Sequence, residues 1–421
     1  MTFQRLAAIA LIVLGTTAAW GILGTSVVTR SGEFDSRLEE DVKQLWGAPH
    51  RQVAPTAQIA RPSEQVEVVE TRTANGDVVK TQTRTPRVEV IAAPLESTRA
   101  AAQLDLEHRR RGLLWYPTYG VAFTGRYIFR NPDAEPRVMH VRMDLPAQGA
   151  LFDDFVFTLD GAPADTSSDL SSAFQASHLV AAGATVTLDV RYRSRGLRSW
   201  TYAFTSDGAA QVRDFAMDVR TNVRAIDFPG GTVSPSSRVE TADGWALHWA
   251  FTHLISGQGI GVAMPQKLNP GPFAARVTFF APVSLLFFVA VMVMVGVTRG
   301  PRLHPMHFWF IAAGFFAFHL LLAYLVDHVG VHLAFATSAA VSLALVTSYL
   351  RLVTGVRHSL LVAGGAQAVF LVLFSYAFFF EGFTGLTVTI GAIITLFVLM
   401  QMTAHVSWDE VFRERGRAAG V

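Results

Sequence analysis

Six stretches of nearly unbroken apolar residues punctuate this chain, one at its start and five at its end. Each approaches the roughly 20 residues that an α-helix needs to cross a bilayer. The first runs from Leu6 to Val28 behind Arg5; the others run over Phe279–Val297, Met306–Val326, Val331–Leu350, Leu360–Phe380 and Leu386–Ala404. Thr16-Thr-Ala-Ala19 loosely resembles a small-residue cleavage site, but the apolar run continues through Trp20, Ile22, Leu23 and Val28, which reads as an uncleaved anchor. Between the first and second runs the pattern changes to short segments with a period of two. The order predicts a membrane helical bundle of six spans, arranged one plus five, with a large inserted β-rich, sandwich-like domain. Its divisions fall at 1–28 (anchor), 29–275 (β-rich domain) and 276–421 (five-helix bundle and tail).

Within the inserted domain, Phe34, Leu38, Val42 and Trp46 recur on one face of a helix over Ser31–Trp46, which either extends the anchor or docks on the β domain. Asn75-Gly76 between Val66–Thr73 and Val78–Thr85 signals a hairpin with a type I′ turn, and both of its faces look largely polar. Strands are predicted over Thr118–Asn131, Arg137–Asp144, Phe155–Leu159, Thr185–Tyr192, Trp200–Phe204, Val212–Thr221 and Trp245–Phe251. Ala, Leu, Glu and Arg over Ser97–Arg111 predict a short helix, ending in Arg109-Arg110-Arg111; that cluster suits lipid head groups or, more simply, internal ion pairs.

The charges orient the spans. Arg299 and Arg302, then Arg351 and Arg357, then Arg413, Arg415 and Arg417 occupy alternate gaps, while the intervening gaps hold Asp327 with His328, and Glu381. The excess of basic residues in cytoplasmic loops then places both termini inside and residues 29–275 outside. Only 16% of the 421 residues are charged, against about a quarter in soluble chains. The net charge of +2, without a long basic block, argues against nucleic-acid binding. The chain has no cysteine, which excludes disulfides, thiolate metal sites and Cys nucleophiles.

No G-x-S-x-G elbow, Walker loop, dinucleotide fingerprint or H-E-x-x-H occurs, and Gly257-Gln-Gly-Ile-Gly261 reads as a loop. No cofactor or catalytic residue is therefore expected. The candidate chemistry lies in scattered polar residues. His319 sits inside the third span, where an ionisable group normally faces the bundle interior. It and Ser338 lie about 10 Å in from the turn between spans three and four. Thr337, Ser342 and Gln401 are further candidates, for solute contact or for interhelical hydrogen bonds. Asp327, His328 and His332 form a second candidate set in that turn, for a metal, for pH sensing, or as plain helix caps. His304 and His307 flank Pro305 at the start of span three and read as interfacial groups. Ala336, Ser338, Ala339, Ala340 and Ser342, with Gly364, Gly365 and Ala366, permit close helix approach; no span has a Pro- or Gly-broken centre of the transporter kind.

Several stretches resemble the CreD family of inner-membrane proteins. They are Ala281-Pro-Val-Ser-Leu-Leu-Phe-Phe288, Arg302-Leu-His-Pro305, Phe316–Gly330, Ser348-Tyr-Leu-Arg351 and Ser407-Trp408. Upstream, Arg111-Gly112 with Tyr116-Pro-Thr-Tyr119 and Gly125, and Gly244-Trp245 with His248-Trp249, are similar to the family's external β region. The resemblance implies an inner-membrane protein supporting envelope integrity, alongside stress or β-lactam responses. Its partners would be the bilayer and, outside, other envelope proteins or periplasmic ligands. A small-solute transporter or channel built on the bundle is the alternative, and a membrane enzyme using His304, His307, Asp327 and His328 a third.

Overall fold

The computed structural model describes residues 3–72, 78–147, 149–164, 173–298, 303–380, 382–404 and 406. The chain divides into two compact units. One comprises Met1–Arg37, Gly112–Leu114 and Leu268–Val421; the other comprises Leu38–Arg111 and Trp115–Lys267. The divisions thus fall at 37/38 and 267/268.

The first unit is helical. Its members are α1 (Phe3–Trp46, through Arg37), α2 (Pro270–Thr298), α3 (Pro305–Leu325), α4 (Val331–Thr354), α5 (Val356–Phe379) and α6 (Thr384–Thr403). All six are long and apolar enough to cross a membrane. The first is one continuous helix, so the amphipathic segment after residue 30 extends the apolar one. At 44 residues it is roughly 65 Å long. α3 begins on Pro305 at its first turn, where a missing N–H costs nothing, and His304 Nδ1 accepts the Met306 N–H.

Small residues set the helix spacing. A Cβ on Gly24 of α1 would meet the Phe279 ring of α2 at 2.8 Å, and one on Gly314 of α3 would meet Val346 of α4 at 2.5 Å. Serines then tie helix pairs through backbone carbonyls. Ser342 Oγ donates to Gly314 O at 2.7 Å, Ser359 Oγ to Thr347 O at 2.6 Å, and Ser284 Oγ to Phe370 O. α5 is not a regular helix: Ser359–Gly364 and Ala368–Leu373 are wound as wider π-type turns. Such turns shift carbonyls out of α register, and the Ser284 hydroxyl meets one of them. α6 is the loosest member, with Thr395 its one buried residue among those described.

The second unit holds fifteen strands among the described residues, in three sheets rather than the two of a simple sandwich. In chain order they are β1 (His50–Val53), β2 (Thr56–Arg72), β3 (Val78–Ala93), β4 (Leu95–Arg111) and β5 (Leu114–Arg130). Next come β6 (Arg137–Asp144), β7 (Asp153–Leu159), β8 (Ala162–Pro163), β9 (Ala173–Val180) and β10 (Thr185–Leu197). The series ends with β11 (Ser199–Ala203), β12 (Ala210–Thr221), β13 (Ser237–Glu240), β14 (Trp245–Ser256) and β15 (Ile260–Ala263). The largest sheet runs β13-β14-β12-β4-β5-β10-β7-β8, beside β3-β2-β6-β9 and β1-β11-β15. Val121, Phe123, Tyr127 and Phe129 alternate inward along β5, and with Leu188 and Val190 of β10 and Met217 and Val219 of β12 they build one core.

Two sequence expectations fail here. Ser97–Arg111 is not a helix but most of β4, paired parallel with β12. Thr98, Ala100, Ala102 and Leu104 are buried while Arg99, Gln103 and Asp105 are not, a period of two that sheet pairing selects over helix propensity. Its terminal arginines are engaged: Arg109 pairs with Glu107 and lies over the Trp46 ring, and Arg111 pairs with Asp41. The β2–β3 hairpin is also not polar on both faces. Val66 and Val68 on β2 and Val88 and Val90 on β3 are exposed and share one face, since Pro62 opposes Val88 and Ala60 opposes Val90. Among the described residues only Thr56–Ile59 of β2 also pair with β6, so the remainder is a two-stranded ribbon. The Asn75-Gly76 turn lies outside the described residues, as do Arg299, Arg302, Glu381, Ser407, Trp408 and the arginines after 410.

Candidate functional site

The helical unit buries polar side chains that its apolar surroundings do not repay. His319 of α3 is fully buried; its Nδ1 lies 2.8 Å from the Phe315 carbonyl, which only accepts. Nδ1 therefore carries the proton, and in the neutral ring Nε2 is a bare acceptor. Nε2 has no partner among the described residues. The ring meets Trp20 of α1 edge-on, with centroids 5.3 Å apart. Trp20 is also fully buried, and its Nε1–H is likewise unpartnered.

On α4, Ser342 is wholly buried and receives the Gln367 Nε2–H of α5 at 2.9 Å while donating to Gly314. Gln367 Oε1 and Ser338 Oγ, both fully buried, have no partner among the described residues. Ser338 stands one turn from Ser342. Phe318 meets Phe335 and Gly314 meets Ser342, so Ser338 lies between two α4 positions that pack on α3. Ser342 thus joins α3, α4 and α5, whereas the His319 ring meets α1 at Trp20. Gln401, near the end of α6, is exposed and does not join them, and Thr337 is exposed. Gln367 was missed by sequence reasoning, although a lone amide at the centre of an apolar span is the same signal that singled out His319.

The three turn residues do not converge. Asp327 pairs with Arg30 of α1 at 2.9 Å; that guanidinium also donates to Ala323 O at 2.6 Å and lies 4.6 Å from the Tyr324 ring centre. His332 stacks on Phe379, centroids 4.7 Å apart, and His328 is exposed. No group of three or more His, Asp or Glu able to hold a metal occurs among the described residues. His307 Nδ1 lies 2.7 Å from Tyr349 Oη, and His304 serves as the cap noted above.

The β unit has an open groove of about 550 Å³ on its largest sheet, in which Gly120, Val121 and Ala122 of β5 and Leu151 lie among Gln103 and Asp105 of β4, Asp153 of β7, and Arg193, Ser194 and Arg195 of β10. Behind it lies His50 of β1, whose Nε2 is 3.4 Å from Ser194 Oγ; that hydroxyl also donates to Leu151 O at 2.9 Å. Burial lowers the His50 pKa to about 4, against an opposing pull from the Arg195 backbone. Tyr119 Oη accepts the His50 N–H at 3.3 Å and donates to Ser199 O at 2.7 Å; burial pushes its pKa up. A neutral, buried imidazole beside a hydroxyl already committed to a carbonyl packs the core. Sequence reasoning missed His50, because nothing local marks β1 as a strand.

Fold and site together define a multi-helix membrane protein carrying a β-rich unit between its first and second helices. The model of the family "Inner membrane protein CreD" matches residues 230–409, which takes in β13 to β15 and α2 to α6. The resemblance read from the C-terminal residues is thereby shown for that stretch, and the upstream segment 109–130 lies outside it. Among curated proteins none matches. A solved structure of a putative nutrient binding protein from Legionella pneumophila is similar at 9% identity and TM-score 0.30, covering 51% of this chain and 78% of that one. An M1 zinc metallopeptidase from Deinococcus radiodurans aligns at 8% identity and TM-score 0.24, covering 66% and 93%. Likenesses this remote carry no functional argument.

Proposed function

We propose that this protein is a non-enzymatic inner-membrane component that supports the integrity of the cell envelope. In this reading one span precedes and five follow an extracytoplasmic β unit, both termini are cytoplasmic, and the β unit binds an envelope ligand or partner. The carrying observation is the insertion of the β unit between apolar helices, in a chain whose C-terminal part matches an inner-membrane family. The groove at Arg193, Arg195, Asp105 and Asp153 presents both charge signs, which suits a zwitterionic or peptide-like ligand better than an apolar one. The test is envelope permeability. Deletion increases dye and β-lactam entry, and the wild-type chain restores the barrier; an unchanged barrier in the deletion strain overturns the reading. A version with Arg193 and Arg195 both changed to Ala, accumulating normally, then separates ligand binding from anchoring.

A second reading, passage of a small solute through the bundle, draws support from the buried polar residues of α3, α4 and α5. Flux into proteoliposomes that is lost in His319→Ala supports it; no flux for envelope-related solutes removes it.

A further inference from the structure

Between α2, α5 and α6 the helical unit holds a cleft of about 410 Å³. Protein interiors tolerate few voids larger than a water molecule, so a space of this size has a cause. Gly365 of α5 and Gly391 of α6 both line it, and a Cβ on either would meet no described atom within 4 Å. Small residues normally let membrane helices approach closely, whereas these two open onto the cleft. The second widened turn of α5 forms another wall. Val369, Phe370 and Leu373 of that turn line the cleft, and the Ser284 hydroxyl of α2 holds the Phe370 carbonyl.

The lining is chemically hydrocarbon. Among the described residues no charged side chain borders the cleft, and its two hydroxyls are turned back into α6. Thr387 Oγ1 donates to Phe383 O at 3.0 Å, and Thr395 Oγ1 to Gly391 O at 2.7 Å. A polar ligand would lose its hydrogen bonds on entry. The dimensions narrow the choice further. The lining residues run from Gly365 to Ala377 along α5 and from Thr387 to Val398 along α6. At about 1.5 Å per residue each stretch is roughly 16–18 Å long. That is close to half of the roughly 30 Å hydrocarbon core, the depth of one leaflet. Ala377 lies near the end of α5 at Phe379, and Thr387 near the start of α6 at Thr384, so the cleft runs inward from the α5–α6 turn. Val369, Leu373 and Ile394 line it and remain exposed, so it opens on the outer surface of the unit, where a membrane presents acyl chains.

We propose that this cleft is a lipid site, which seats one acyl chain of a membrane phospholipid from the leaflet next to the α5–α6 turn. In the topology proposed above that is the outer leaflet; the leaflet follows from that topology, the site does not. The chain lies along Gly365 and Gly391 with its head group left at the interface. α6, whose one buried residue among those described is Thr395, is then held to α2 and α5 through the chain as well as by direct packing.

The test uses the full-length protein in nanodiscs that contain a phospholipid with a photoreactive diazirine on one acyl chain. A seated chain labels residues 365–377 and 387–398 severalfold more strongly than Leu11 and Leu14, exposed apolar residues of α1 that meet lipid only in passing. In Gly365→Leu with Gly391→Leu the new side chains fill the cleft, so labelling there falls to the α1 level while labelling of α1 is unchanged. Should the double variant fail to fold, the wild-type contrast between the cleft and α1 decides. Cleft labelling no stronger than that of α1, or unchanged in a folded variant, overturns the site. Preferential labelling of the cleft by a free fatty acid carrying the same diazirine overturns phospholipid as the occupant.

Discussion

At the residue scale, His50 gives the clearest pH dependence. Its folded pKa of about 4 lies below the unfolded value near 6.5, so the unfolded chain binds the extra proton between them. The contribution to stability is complete above pH 6.5, shrinks as pH falls and is gone by about pH 4, amounting to at most ~3 kcal/mol. Urea unfolding of the protein, followed by the fluorescence of buried Trp200 and Trp249, will show this slope, and His50→Gln will flatten it. The Arg30–Asp327 pair makes a smaller claim. Both side chains are over a third exposed, so a double-mutant cycle through Arg30→Ala and Asp327→Asn should give a coupling of about 0.2–1 kcal/mol. A larger coupling would mean that the Arg30 donation to Ala323 acts with the ion pair as one unit. Single polar residues were legible where they broke an apolar run, as His319 and Ser338 do. Gln401 is exposed, and an amide near a helix end is equally at home on the surface. Periodicity cannot say which face α6 turns inward, since the helix is apolar all round.

At the level of elements, apolar runs and period-two segments found the helices and the central strands, with Arg137–Asp144 matching β6. What the sequence hid is what pairing decides. β4 carries good helix formers and is held as a strand by β5 on one side and β12 on the other. β1 and β15 are four residues each, too short to show a period, and they find partners in β11. The irregular winding of α5 has no sequence mark beyond Gly364 and Gly365. The ribbon of β2 and β3 yields a prediction of its own. A two-stranded ribbon is marginal in water, and beyond Ile59 nothing else in its sheet pairs with it among the described residues. Hydrogen exchange at residues 64–69 and 82–88 will therefore be orders of magnitude faster than in β5 or β10. Replacing residues 64–86 with Asn-Gly will leave Tm within a few degrees; a collapse of the β unit would show that the ribbon belongs to its core.

For the whole molecule, the shift in composition at either end of the inserted segment was enough to foresee a helical part and a β part, and residues 230–409 match an inner-membrane family. The absence of cysteine makes the proposed topology directly measurable. Single cysteines at Thr241 or His328 will react with an impermeant maleimide added to intact spheroplasts, and one at Arg357 only after lysis. The opposite pattern would invert the orientation and move the β unit to the cytoplasm.

The helical unit is assembled from pieces far apart in the sequence, and that governs the order in which it is made. Translation delivers α1 first, but Phe279, Phe316 and His319, against which Gly24 and Trp20 pack, emerge more than 250 residues later. At bacterial or slower elongation rates, on the order of 5–20 residues per second, Trp20 waits about 15–60 s for His319. In the proposed topology α1 is a lone span during that interval, its indole N–H in lipid while the β unit folds behind it. A nascent chain arrested before α2 would stay in that condition, which makes it a natural substrate for membrane quality-control proteases and makes the last third of the message the part that commits the first helix to its place.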